Sequence, residues 1–306
     1  MMTRREAIGV LGSMSVGTVL GATPRGFSSV VWPTSGLFPQ QSEPSPSLAP
    51  GAPMSPERLA LIEAFKRDAE GLDTQFEART HKSDWVMPYR LYRARASGKV
   101  PLVIFLHGSG GQGTDNAKQM GLGNIFGTRV LALPSNQKTF PCTIVVPQTD
   151  RGWVNYGPPA PGDSVARVIP GLGAGAKLAL EIVNEVSREL PIDDRRIYVM
   201  GQSMGGAGVW HMTAERPRLF AAAVACCGSA SLDNPAKSAS TPVWNFHGDA
   251  DQSVRVAVSR ERIAALRKAG ARPISTEYAG VGHNAWEWAF TEPSLVSWLF
   301  AQRRPA

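Results

Sequence analysis

Cysteine is scarce: the 306 residues hold three, Cys142, Cys226 and Cys227. An odd, low number excludes a disulfide framework, even in a protein that leaves the cell. Cys142 precedes the apolar run Thr143 to Val146, and Cys226 ends the run Ala221 to Ala225. Both are expected as buried strand-end thiols, with one bridge from Cys142 to either of the others as the alternative. Charge is also thin, at 19% of residues, with 32 basic against 25 acidic side chains and a net +7. The basic residues, among them Arg58, Arg93, Arg167 and Arg272, are scattered and form no stripe beside aromatics, which argues against a nucleic-acid partner. There is no C-x-x-C, no H-E-x-x-H and no Walker lysine, so neither a metal site nor a phosphate loop is expected, and no cofactor is called for. What remains is an ordinary globular composition, 43% hydrophobic and large enough for one substantial core.

The first residues read as a targeting segment. Arg4 and Arg5 precede an uncharged stretch, Ala7 to Ala22, diluted with Gly and Ser. That stretch falls short of the ~20 apolar residues needed to span a bilayer. Residues 1–28 therefore read as an export signal of the twin-arginine type, giving a periplasmic or secreted protein without a membrane span in its mature form. Residues 29–55 are rich in Pro, Ser and Gln and read as a tether. Ser55 followed by Pro56 is a helix start, and Leu59, Ile62, Phe65 and Ala69 recur at helical spacing up to Gly71. Residues 56–83 are accordingly expected as an N-terminal helical extension ahead of one domain, 84–306.

Within that domain strands and helices alternate. Val103 to Leu106, Thr143 to Val146, Ile197 to Met200, Ala221 to Ala225, Val243 to Phe246 and Ser275 to Tyr278 are short strand-like runs. Several are continuously apolar, as strands covered on both faces are. Helices are expected over Leu178 to Leu190, Gly206 to Glu215, Val256 to Lys268 and Leu295 to Gln302. Repeated βα units imply an α/β fold, with a mostly parallel sheet and helices on both faces.

Four motifs fall at the ends of these strands. Gly201-Gln202-Ser203-Met204-Gly205 is a G-x-S-x-G between a strand and a helix, where a serine on a tight turn projects its hydroxyl from the sheet. The N–H of Met204 then faces the position where an oxyanion would develop. His107-Gly108-Ser109-Gly110-Gly111 follows another strand and offers a second N–H, from Ser109 or Gly110. His247-Gly248-Asp249-Ala250-Asp251 supplies two candidate acids, Asp249 and Asp251. Gly282-His283 places a histidine on a glycine-flanked loop late in the chain. Of the other histidines, His81 is expected in a polar loop, His107 and His247 as hydrogen-bonding strand ends, and His211 as a packed helix residue.

These motifs, in this order, resemble those of the α/β-hydrolases, in the phospholipase/carboxylesterase-like branch related to polyhydroxybutyrate depolymerases and feruloyl esterases. The resemblance spans about Tyr89 to Gln302. It implies that the acid is the last residue of the H-G-x-x-D pattern, Asp251, and that Ser203, Asp251 and His283 form a triad. It also implies ester cleavage through an acyl-enzyme on Ser203, with Met204 and Ser109 or Gly110 as the oxyanion hole. A serine peptidase on the same scaffold, or a non-catalytic relative, is the competing reading. The stretch between Ser203 and Asp251 is too short for a large lid domain, so the cleft should be open. Trp153 and Tyr156, on a long irregular segment over 148–171, are expected as substrate-binding residues at its wall. An open, aromatic-edged site in an exported protein suits esters, small or polymeric.

Overall fold

A computed structural model of the protein describes residues 55–121, 123–158, 167–229 and 235–305. The expected export signal and all of the tether except Ser55 lie outside them. The chain starts with helix α1 (Pro56–Asp68), capped by the Ser55 hydroxyl, which accepts the Arg58 N–H. Strands β1 (Glu77–Lys82), β2 (Val86–Tyr92) and β3 (Val100–Leu106) follow, then short helices α2 (Asn124–Arg129) and α3 (Pro134–Thr139). Next come β4 (Thr143–Pro147), a side hairpin of β5 (Val154–Gly157) and β6 (Arg167–Leu172), and α4 (Ala174–Glu189). The remaining elements are β7 (Ile192–Gln202), α5 (Met204–Glu215), β8 (Ala222–Cys226), β9 (Val243–Gly248), α6 (Val256–Lys268), β10 (Ile274–Tyr278), α7 (Trp286–Ala289) and α8 (Leu295–Ala301).

Eight strands make one sheet in the order β1-β2-β4-β3-β7-β8-β9-β10. The β1–β2 and β2–β4 pairs are antiparallel, and the pairs from β4–β3 to β9–β10 are parallel. The continuous apolar runs are explained by the two faces. Val103 and Phe105 of β3 enter one core with α1, α2 and α8, whereas Leu102, Ile104 and Leu106 enter the other with α4, α5 and α6. Pro101 sits inside this central strand, where its missing N–H would break a ladder. The β3–β7 register shifts between Val100 and Leu102, which absorbs it.

The N-terminal part differs from the sequence expectation. Residues 56–83 are not a helical appendage: Ile62 and Phe65 of α1 are core residues, and β1 is the first strand of the main sheet. His81 thus lies in a strand rather than a polar loop, with its ring between Glu181 and Glu185 of α4. Leu59, expected on the apolar face of α1, is 47% exposed. The β1 sequence, Glu-Ala-Arg-Thr-His-Lys, lacks apolar alternation because this edge strand is largely solvent-facing. The segment expected to be irregular contains the antiparallel β5–β6 pair, whose central residues 159–166 fall outside the described ones. Among the described residues no helix is long and apolar enough to cross a membrane.

Candidate active site

Ser203 stands at the turn from β7 into α5, at the parallel strands' carboxyl edge. Its backbone is at φ 53°, ψ −120°, a region that residues with a Cβ seldom occupy. The glycines around it are required by contact. A Cβ on Gly205 would fall 1.9 Å from Leu106 O, and one on Gly201 would fall 2.5 Å from Gly205 O. Helix α5 can therefore approach β3 only if both positions lack side chains. Ser203 N–H donates to Cys226 O at 2.8 Å, anchoring the turn to β8.

Loops after β9 and β10 bring the other two groups to this turn. A Cβ on Gly248 would lie 2.1 Å from Val281 O, and Ala250 N–H donates to that carbonyl at 3.0 Å. The two loops are thus in direct contact. Ser203 Oγ lies 2.8 Å from His283 Nε2, and His283 Nδ1 lies 2.7 Å from Asp251 Oδ2. A carboxylate only accepts, so Nδ1 carries the proton and Nε2 is left to accept from the serine hydroxyl. Asp251 Oδ1 accepts the N–H groups of Ser253 and Val254 at 2.8 and 2.9 Å. Asp249, the other candidate acid, instead takes Gly280 N–H at 2.7 Å.

The glycine-rich loop after β3 borders Ser203. A Cβ on Gly108 would be 3.5 Å from Ser203 Cβ. Ser109 and Gly110 open a short 3-10 turn and Met204 opens α5, so their N–H groups belong to first turns, which lack intrahelical acceptors. Buried His107 braces the loop from beneath. Its Nδ1–H donates to Gly108 O at 2.7 Å and its Nε2 accepts Thr149 N–H at 3.2 Å. Burial lowers this imidazole to about 4, keeping it neutral as both bonds require. Asn124, through Oδ1, accepts Gly108 N–H at 3.0 Å. Gln148 ties the same region together, donating to Gly111 O and Asp115 and accepting Asn116 N–H. No sequence signal distinguishes Asn124 or Gln148 from other amides, because their partners are backbone groups brought near by the fold.

The two aromatic residues expected at the cleft wall separate. Tyr156 is 53% exposed on β5. Trp153 is fully buried, with its indole N–H donated to His107 O at 2.9 Å and its ring edge-on to the His107 ring. It supports the loop from inside and forms no wall, a correction that follows from the indole needing a buried acceptor. Trp286, partly buried, packs edge-on against the His283 ring at 5.4 Å. His211 lies in α5 with Nδ1 3.2 Å from Gly171 O. All three cysteines are free and buried. Among the described residues, Cys227, Asp251 and His283 could offer three ligand atoms within 4.8 Å of one another. Those atoms are already engaged, since His283 bonds Asp251 and Cys227 Sγ lies 3.3 Å from His283 O.

Comparison with known proteins agrees with the fold. The family model described as Phospholipase/Carboxylesterase matches residues 171–292. A crystal structure of a thermostable esterase superposes with a TM-score of 0.69 and 31% identity, covering 76% of this chain and 64% of that one. The chain has the α/β-hydrolase fold. The chain is also similar to a ferulic acid esterase, at 18% identity and TM-score 0.54, over 73% of this chain and 97% of that one. The acylaminoacyl peptidase of Pyrococcus horikoshii gives 16% identity and TM-score 0.54, over 76% and 43%. These last two likenesses concern the fold alone. The chain spans less than two thirds of the length of the thermostable esterase and of the peptidase. No curated protein matched.

Proposed function

We propose that this α/β-hydrolase cleaves carboxylic esters through an acyl-enzyme on Ser203. The observation that carries the reading is the unbroken chain from Ser203 Oγ to His283 at 2.8 Å and from His283 to Asp251 at 2.7 Å. His283 Nε2 takes the hydroxyl proton as Oγ attacks the ester carbonyl, then delivers it to the departing alcohol. Asp251 holds the ring in the required tautomer and stabilises the imidazolium. The oxyanion is met by Met204 N–H together with Ser109 or Gly110 N–H. Water then enters by the reverse sequence and releases the acid. Proton transfer and charge stabilisation suffice for the cycle. The 31% identical thermostable esterase supports esters as the substrate class.

The decisive experiment is Ser203→Ala on nitrophenyl esters. Turnover should fall by about 10⁴-fold or more, with the far-ultraviolet spectrum unchanged and with no fluorophosphonate adduct. Undiminished hydrolysis by that variant would refute the assignment. Exposed Tyr156, with Trp286 beside His283, is proposed as the aromatic edge of the substrate cleft. A panel of acetyl, butyryl, feruloyl and polyester substrates tests it: Tyr156→Ala should raise KM for feruloyl esters and leave acetyl esters unaffected. Export is proposed on Arg4, Arg5 and the uncharged stretch after them. Replacing both arginines by lysine should retain the protein inside the cell.

A further inference from the structure

The mechanism above gives His247 no task, yet this fully buried ring at the end of β9 touches the triad. Its Nε2 lies 2.8 Å from Val254 O and 3.2 Å from Asp251 Oδ2. Its Nδ1 lies 2.7 Å from Ser259 Oγ on α6. A carbonyl can only accept, so the Nε2 proton is donated to Val254 O with Asp251 Oδ2 beside it, and Nδ1 accepts the serine hydroxyl. Burial depresses the basicity of this imidazole, which keeps the ring neutral in that tautomer. Behind Ser259, the same hydroxyl stands 3.4 Å from Asn245 Oδ1, and Asn245 donates to Ser275 Oγ at 3.4 Å. The support therefore runs from the acid through His247 on β9 to Ser259 on α6.

Asp251 consequently has four N–H groups around it. Two backbone N–H groups hold Oδ1, while Oδ2 lies between two histidines, His283 at 2.7 Å and His247 at 3.2 Å. The backbone donors alone leave the carboxylate able to swing Oδ2 about the Oδ1 anchor. A donor fixed in the core on the far side of Oδ2 removes that freedom. Through Val254 O the same proton also ties the acid's loop to β9.

We propose that His247 is a positioning residue, which by donating Nε2–H to Val254 O with Asp251 Oδ2 beside it holds the carboxylate in the one orientation that meets His283. It touches no substrate. This rests on the Ser203–His283–Asp251 reading. Because it acts on alignment, its loss should appear in kcat with KM unchanged, and it should be recoverable by any side chain that returns an N–H to the same place.

His247→Phe keeps the volume and removes both nitrogens, and His247→Gln carries an amide N–H at the reach of Nε2. Rates are referred to sites titrated with a fluorophosphonate, so that unfolded protein does not count. The phenylalanine variant should lose about 10- to 100-fold in kcat at constant KM, and the glutamine variant should recover most of it. The hydrogen-bonded Nδ1 proton of His283, seen by proton NMR, should shift in the first and return in the second. A wild-type kcat and an unmoved resonance in His247→Phe would overturn the proposal, as would a glutamine variant no faster than it. If the phenylalanine variant does not fold, His247→Asn replaces it, since its shorter amide reaches the Nδ1 position only. Glutamine faster than asparagine then supports the proposal, and equal rates end it. The NMR comparison needs no substrate, so a wild type inert toward esters would sink the proposed function and still leave this inference to be decided.

Discussion

Two glycines do more to build the site than any polar residue near it. Gly205 lets α5 lie against the Leu106 carbonyl, and a methyl group there has nowhere to go because all three contacting atoms are backbone. Gly205→Ala should lower unfolding free energy by about 3 kcal/mol or more, measurable by urea denaturation. Gly270→Ala is the control: at φ 87° with open space around it, it should cost only about 1 kcal/mol. At this level the sequence was highly legible. Ser203 and His283 could be singled out because each sits in a short pattern dictated by local backbone, Asp251 only through the family resemblance of its H-G-x-x-D pattern, and the structure brings those three side chains together. Trp153 was misread since its surroundings are His107 and the β5–β6 pair, distant in sequence, and a tryptophan on a proline-rich segment carries no mark of which way it faces. His247 was read as a strand-end hydrogen bonder; that its partner is the acid four residues on could not be seen without the turn at Gly248.

The helix α1 and strand β1 show where pattern reading of longer stretches breaks down. Phe65 stacks on Phe126 of α2 with ring centroids 4.9 Å apart, so α1 completes the core on one face of the sheet. Phe65→Ala should cost about 3 to 5 kcal/mol in the same denaturation assay, an outcome that a dispensable extension would not give. Strand β1 is tied to α4 by His81, whose ring nitrogens lie 2.5 Å from Glu185 and 2.9 Å from Glu181. Burial alone would lower the His81 pKa, but its hydrogen bonds to the two glutamates together outweigh it and the net direction is upward. A raised folded value means that the stabilisation is complete below the unfolded pKa and lost as pH rises through the folded one. The Tm difference between wild type and His81→Asn should thus be larger at about pH 6 than at about pH 9. Equal differences at both would show that the ring contributes only by packing. Helix α1 was legible as a helix but not as part of the core, and β1 had no readable signal, for an edge strand facing solvent has no alternation and its partners are named only by the fold.

Across the entire chain, the repeated βα pattern alone indicates a parallel sheet, because strands buried on both faces must be apolar throughout. The antiparallel β1–β2 edge and the β5–β6 hairpin were not legible in that way. The same double burial encloses the thiols. Cys142 is pushed up to about 12 by burial, against a smaller opposing effect of the Gln137 hydrogen bond. Native protein should therefore leave Ellman's reagent unreacted, whereas denatured protein should release three equivalents, one for each free cysteine. Early labelling of even one would mean local opening of the sheet ends. Ser203, finally, sets resistance to heat against turnover. Its left-handed φ costs an L-residue of order 1 kcal/mol that glycine escapes, so Ser203→Gly should melt higher than the wild type while turning over nothing. Any screen of variants for survival at high temperature, without a concurrent screen for hydrolysis, would therefore be drawn toward dead enzymes.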